Sequence, residues 1–274
     1  MDRINAATRL MAIIGSPVEH SLSPLIQNAF ARRAGLDYAY MGFNVKPEGL
    51  GAFTAAARTL NMVGFNVTMP LKEKIAPFLD ELDSSACGGA VNTVYARDGR
   101  LIGGNTDGAG FVLSMERAGG LPGTALILGA GGSARALAAS LTAANVSVTV
   151  ASRRTVRFDL PRTDYIAWDD FPARLPDCGL LINATPLGMH GADAGDYTDL
   201  DFLDALPADA CAYDLIYAPP VTALLAAAAR RGLRTVNGLP HLVCQGALAF
   251  KLFTGHMPSE ADIDEALRLA GGGG

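Results

Sequence analysis

At 274 residues, half of them hydrophobic and 18% charged, the chain can bury a large core, and two domains are the natural expectation. Its 31 glycines and this balance of polarity fit a globular α/β protein. A formal charge of -5 excludes a general nucleic-acid binder, although local basic clusters can still hold phosphates.

The chain opens polar through Arg9, and the apolar run that follows is too short for an export or membrane segment. Leu10 to Ile14 reads as a first strand, closed by Gly15-Ser16-Pro17. Ser23-Pro24 reads as an N-cap followed by a proline in the first turn, opening a helix to about Ala34. Tyr38 to Val45 predicts a second strand, and Pro47 starts a helix ending near Leu60. Met62 to Val67 predicts a third strand, after which Pro70 begins another helix. Val91 to Ala96, Asp98-Gly99 and Leu101-Ile102 predict a hairpin. This alternation of β and α implies a mainly parallel sheet.

Gly108 to Ala118 predicts a connecting helix. Leu126-Ile127-Leu128 reads as the end of a buried strand, followed by a glycine cluster and an alanine-rich helix to Ala144. Further strands are expected at Val146 to Val150, Leu180 to Ile182, Ala210 to Asp214 and Arg234 to Val236. Thr222 to Arg231 predicts a helix with Gly232 as its natural C-cap, and Leu239 to Phe253 and Glu260 to Leu269 predict two more. Gly271 to Gly274 reads as a disordered end. The expected fold is therefore a two-domain α/β protein. A mainly parallel αβα substrate domain spans residues 1–104 and is completed by 239–274; a Rossmann-type domain spans 105–238. A cleft between them should lie at the carboxyl ends of both sheets. Cys87, Cys178, Cys211 and Cys244 are scattered without zinc spacing, so they read as reduced, mostly buried thiols of a cytoplasmic protein with no metal site.

Gly129, Gly131 and Ala134 fit the dinucleotide fingerprint, whose small residues let helix and strand pack closely while free amides face a pyrophosphate. Just past the next strand comes the basic run Ser152-Arg153-Arg154-Thr155-Val156-Arg157. An acid there would suit the ribose hydroxyl of NAD; arginines suit the extra phosphate of NADP. Lys72, placed by the Pro70 reading in the first turn of a helix, would oppose the helix dipole, which is poor for stability and useful for a base. Taken alone, it reads more plainly as a solvated lysine beside Glu73 and Lys74. Asp107 offers either an N-cap or the acid partner of Lys72. Ser21 and Ser23 offer two hydroxyls suited to a carboxylate, and Asn183 to Met189 follows a strand where nicotinamide could lie.

Together these motifs resemble the shikimate dehydrogenase family along nearly the whole chain. GSPVEHSLSP (15–24), NVTMPLK (66–72), AVNT (90–93), NTDG (105–108), GAGGSARA (129–136), NATPLGM (183–189), DLIYAPPVT (214–222) and Gln245 stand in the family's order. The resemblance implies a catalytic pair, Lys72 and Asp107. It implies substrate contacts from Ser21, Ser23 and Tyr217 to a carboxylate, and from Thr68, Asn92 and Gln245 to ring hydroxyls. It implies NADP contacts from Gly129, Ala130, Gly131, Gly132, Ser133, Ala134, Ser152, Arg153 and Arg154, with Thr185, Met189 and Gly238 at the nicotinamide. The implied reaction is reversible hydride transfer between NADPH and 3-dehydroshikimate, by a monomer or homodimer, with a small-molecule substrate and no nucleic-acid or membrane partner.

Gln27, Ser152 and His241 depart from residues common in the family (His, Asn and Met), which bears on substrate range. An NAD-linked quinate dehydrogenase, or an enzyme of a related ring acid, is the alternative within oxidoreductases. A non-catalytic dinucleotide sensor is the alternative of another class; the joint presence of Lys72, Asp107 and the serines argues against it.

Overall fold

A computed structural model of the chain describes residues 4–86, 89–154, 156–190 and 195–272. Cys87, Thr155, Gly273 and Gly274, which figure in the reading above, lie outside the described residues. The chain divides into two units, Met1–Gly110 with Leu242–Gly274, and Phe111–His241.

In the first unit β1 (Arg9–Gly15), α1 (Ser23–Arg33), β2 (Tyr38–Asn44), α2 (Leu50–Thr59) and β3 (Gly64–Val67) alternate. Then come β4 (Glu81–Leu82), β5 (Thr93–Arg97) and β6 (Arg100–Gly104). The sheet order is β2-β1-β3-β5-β6-β4, and every pairing is parallel except the two that β5 makes. Asp98 and Gly99 both have positive φ, the backbone of a two-residue hairpin turn, so the β5–β6 pairing is antiparallel. Leu50, Thr54 and Ala57 recur at helical spacing on the buried face of α2. Leu50 and Ala57 join Ala12, Ile14, Phe65, Val67 and Val94 in one core.

Two local expectations are corrected here. Ser23 is the first helical residue of α1, not its cap; Leu22 holds the cap position, and the Ser23 amide donates to Ser21 Oγ at 3.2 Å. No helix begins at Pro70, and Lys72 lies in a run of turns. The Lys72 carbonyl accepts from the Val91 amide at 2.8 Å, which takes it out of any helical ladder, while Leu71 and Ile75 are drawn into the core. The dipole argument for Lys72 therefore falls.

The second unit is entered through α3 (Asp107–Arg117) and holds β7 (Thr124–Leu128), α4 (Gly132–Ala143), β8 (Ser147–Ser152) and β9 (Thr163–Ala167). It continues with β10 (Leu180–Asn183), β11 (Cys211–Asp214), α5 (Ala223–Arg230) and β12 (Arg234–Val236). All pairings in the order β12-β11-β10-β7-β8-β9 are parallel. This is the doubly wound order, and its winding reverses between β7 and β10, where such sheets bind ligands. Leu126 and Leu128 face one core while Ala125 and Ile127 face another, so both sides of the sheet are covered. Thr222 caps α5 by accepting from the Leu225 amide, and Gly232 follows at φ +78°.

Helices α6 (Leu239–Thr254) and α7 (Glu260–Gly271) bring the chain back to the first unit. The expected loose end is ordered at its start: Gly271 ends α7 and the Gly272 amide donates to the Arg268 carbonyl. Cys178, Cys211 and Cys244 are buried and not joined in disulfides. Among the described residues no helix is long and apolar enough to cross a membrane, and no cluster of side chains could hold a metal.

Candidate active site

Strand ends gather the polar residues of the first unit. Lys72 Nζ lies 2.6 Å from Asp107 Oδ2, the first residue of α3, where the helix dipole favours a carboxylate. Asn92, at the entry to β5, donates from Nδ2 to Asp107 Oδ1 at 2.7 Å. Its Oδ1 accepts from the Thr106 amide at 2.8 Å and from Thr93 Oγ1 at 2.8 Å. A backbone amide is an obligate donor, so the orientation of the Asn92 side chain is fixed with its nitrogen toward Asp107. Gln245, on α6, accepts at Oε1 from Asn92 Nδ2 at 3.4 Å and Thr106 Oγ1 at 3.3 Å. The loop bearing Thr68 is tied to β1, its amide donating to the Ile14 carbonyl at 2.9 Å. Thus Lys72, Asp107, Asn92 and Gln245 form one hydrogen-bonded group, with Lys72 the most exposed of the ion pair at 21% against 8% for Asp107.

In the second unit the remaining candidates leave the sheet at a single edge, because every strand runs parallel. Gly129 follows β7, Arg153 and Arg154 follow β8, Thr185 follows β10, Tyr217 follows β11 and Gly238 follows β12. Gly129 has φ +110°, and a Cβ there would come within 2.9 Å of the Ala184 carbonyl oxygen and 3.1 Å of Thr185 Cγ2. Only glycine lets the β7 and β10 loops approach this closely. At Gly131, by contrast, a Cβ would meet nothing within 4 Å, and no side chain caps α4 there. The first amides of a twelve-residue helix are therefore left for an outside acceptor. Arg153 and Arg154 are exposed, and Met189 is 40% exposed.

Behind this edge lies a buried polar knot. Asp214 Oδ1 accepts from Asn183 Nδ2 and from the Ile216 amide, both at 3.0 Å, and Oδ2 accepts from Thr222 Oγ1 at 2.7 Å. Asn183 Oδ1 accepts from Thr185 Oγ1 at 2.6 Å and Tyr197 Oη at 3.0 Å. Burial pushes the Asp214 carboxyl up to about 6 despite these donors. The knot holds Thr185 in the turn that follows β10.

Two family models match the chain: the shikimate dehydrogenase substrate binding domain over residues 13–94, and the shikimate 5'-dehydrogenase C-terminal domain over residues 238–268. A shikimate dehydrogenase (NADP(+)) of Moorella thermoacetica is 42% identical over 288 residues, covering 99% of this chain and 97% of that protein. The chain belongs to the shikimate dehydrogenase family.

Solved members of the shikimate dehydrogenase family share the fold. The Thermus thermophilus shikimate 5-dehydrogenase in complex with NADP(H) and shikimate matches with TM-score 0.83 at 35% identity, covering 96% of this chain and 99% of that one. A shikimate 5-dehydrogenase from Listeria monocytogenes, in complex with shikimate and NAD, matches with TM-score 0.86 at 32% identity, covering 97% of this chain and 99% of that one. The residues present fit a dinucleotide: a glycine turn lies at the switch point, α4 starts without a side-chain cap, and exposed arginines follow β8. Of the three departures from family habit, Ser152 is partly exposed at the end of β8, while Gln27 and His241 are buried and packed. Gln27 donates to the Gly246 carbonyl at 2.8 Å, and His241 stacks edge-on to Phe111 with centroids 6.0 Å apart.

Sequence reasoning gave no role to Asn66, Thr93 and Thr106, which bond to Asn92, or to Tyr40, which bonds to Asn66. Each pairs with residues distant in the chain, so no local spacing announces it. The available signals were the motifs that contain Asn66, Thr93 and Thr106 and the alternation of polar Asn66 with apolar Phe65 and Val67 in a strand.

Proposed function

We propose that this chain is an NADP-dependent dehydrogenase that reversibly reduces 3-dehydroshikimate to shikimate, with Lys72 and Asp107 as its catalytic pair. The observation that carries this reading is the 2.6 Å contact of Lys72 with an Asp107 already held by Asn92, in a chain of this family. NADP, when bound, supplies the hydride chemistry; Gly129 to Ala134 would hold its pyrophosphate and Arg153 with Arg154 its extra phosphate.

The protein's own part is to orient the ring and handle a proton. Asn92 gives Asp107 a fixed donor, so the carboxylate serves as acceptor to both Asn92 and Lys72. Lys72 is then the member with a proton to give the ring oxygen in reduction and to recover in oxidation, and Asp107 anchors it. Ser21 and Ser23 would take the substrate carboxylate, joined by Tyr217, whose phenol burial raises above its ordinary range. Thr68, Asn92 and Gln245 would take ring hydroxyls. A site that hydrogen-bonds each hydroxyl rejects analogues lacking one. Ser152, Thr185, Met189 and Gly238 complete the cofactor side of the assignment, and 1–104 with 239–274 against 105–238 the division of labour. The enzyme would work as a monomer or homodimer, and its buried cysteines, not joined in disulfides, fit the reducing cytoplasm.

A steady-state survey of hydroxylated ring acids with NADP+ and NAD+ tests this. Shikimate with NADP+ is expected to give the highest kcat/KM. The Listeria relative is solved with shikimate and NAD, so NAD+ is the competing cofactor to assay; preference for quinate with NAD+ would establish an NAD-linked quinate enzyme instead.

A further inference from the structure

Beneath Asn92 runs a line of buried hydrogen bonds that the catalytic assignment does not use. Tyr40, on the edge strand β2, is 2% exposed and donates from Oη to Asn66 Oδ1 at 2.8 Å. Asn66, on β3, donates from Nδ2 to the Asn92 carbonyl at 3.1 Å and to Thr93 Oγ1 at 3.0 Å. Thr93, fully buried, donates onward to Asn92 Oδ1 at 2.8 Å.

Two backbone groups fix the sense of every link. The Asn92 carbonyl can only accept, so Asn66 must present its nitrogen to β5 and its oxygen to Tyr40. Tyr40 must therefore donate. Thr93 accepts a hydrogen bond from Asn66 and directs its own hydroxyl at Asn92 Oδ1, at 2.8 Å, nearer than the Thr106 hydroxyl at 3.2 Å. The Thr106 amide holds that same oxygen from the other side, and Asn92 has its nitrogen left for Asp107. A phenol at this depth, where burial alone drives its pKa up, is a costly way to fill space unless its hydroxyl is needed.

We propose that Tyr40 is a positioning residue for the Lys72–Asp107 pair, acting through Asn66, Thr93 and Asn92. This rests on the enzyme reading above only for its consequence in turnover. The phenol donates to Asn66, Asn66 saturates Thr93, and Thr93 then holds the Asn92 amide in the orientation that grips Asp107.

Tyr40→Phe keeps the ring and deletes the donor, and Thr93→Val cuts the line one link from Asn92. Two readouts apply to the full chain: hydrogen exchange of the Asn92 side-chain amide by NMR, which needs no turnover, and kcat against KM for shikimate with NADP+. Tyr40→Phe is expected to speed that exchange several-fold and lower kcat about three- to tenfold, with KM for NADP+ within about twofold. In a Thr93→Val background the same change should add almost nothing, since the two act through one path. Unchanged Asn92 exchange in Tyr40→Phe, unchanged kcat, or full additivity in the double variant overturns the proposal. A wild-type protein without turnover on shikimate would sink the enzyme reading instead, and the exchange arm would still decide this one.

Discussion

Gly110 of α3 lies so close to Gln245 of α6 that a Cβ on it would stand 2.5 Å from Gln245 Cα and 2.6 Å from its backbone nitrogen. Backbone cannot yield as a side chain does. Gly110 is three residues past Asp107, so the helix that presents the carboxylate is set against the helix that presents Gln245 by the absence of a methyl group. Gly110→Ala should therefore destabilise the protein by about 1–3 kcal/mol and lower Tm by about 3–10 °C, with a loss of kcat in the folded fraction. Calorimetry with a parallel rate assay checks this; an unchanged Tm would mean the two helices are free to part.

Asp214 makes stability depend on pH. Its carboxyl titrates near about 6 in the fold, above its ordinary value, because it is fully buried. The folded state thus binds this proton more tightly than the unfolded chain. The contribution is complete below the unfolded pKa of about 3.9 and is lost as pH rises through about 6, worth about 3 kcal/mol at most. Asp214→Asn should remove this dependence, so its Tm relative to wild type rises between about pH 4 and pH 7. A constant difference across that range would show that Asp214 does not titrate as its burial implies.

Arg153 gives a cofactor test. It is exposed at the end of β8, with no buried role to lose. Arg153→Ala should weaken NADP+ by about tenfold to a hundredfold, the worth of one charge-assisted bond, and NAD+ by less than about twofold. Fluorescence titration of each cofactor measures both. Equal weakening would mean the arginine does not read the extra phosphate.

How much of this the sequence carried depends on how local each signal is. The glycine turn, the Asp98-Gly99 hairpin and the Thr222 to Gly232 helix are written in residues that need a particular backbone, and they stand where expected. Pro70 misled because proline at a first helical position is a local cue, whereas the Lys72 carbonyl is claimed by Val91 from a different segment. Ser23 misled in the same way: it is the first residue of α1, and no side chain caps that helix. Strand β4 has two residues and pairs in register with β6, too short for any periodicity. The polar group around Asn92 was half legible. Most of its members lie in family motifs, while Tyr40 reads as an ordinary strand residue until the sheet brings it to Asn66.

Lys72 carries the central claim, and removing it is the most direct measurement. Lys72→Ala, assayed for shikimate oxidation with NADP+, is expected to lose about two to four orders of magnitude in kcat, the usual worth of a general acid–base group. NADP+ affinity should hold within about twofold, because the cofactor contacts belong to other residues. A variant that turns over at near the wild-type rate would contradict the account.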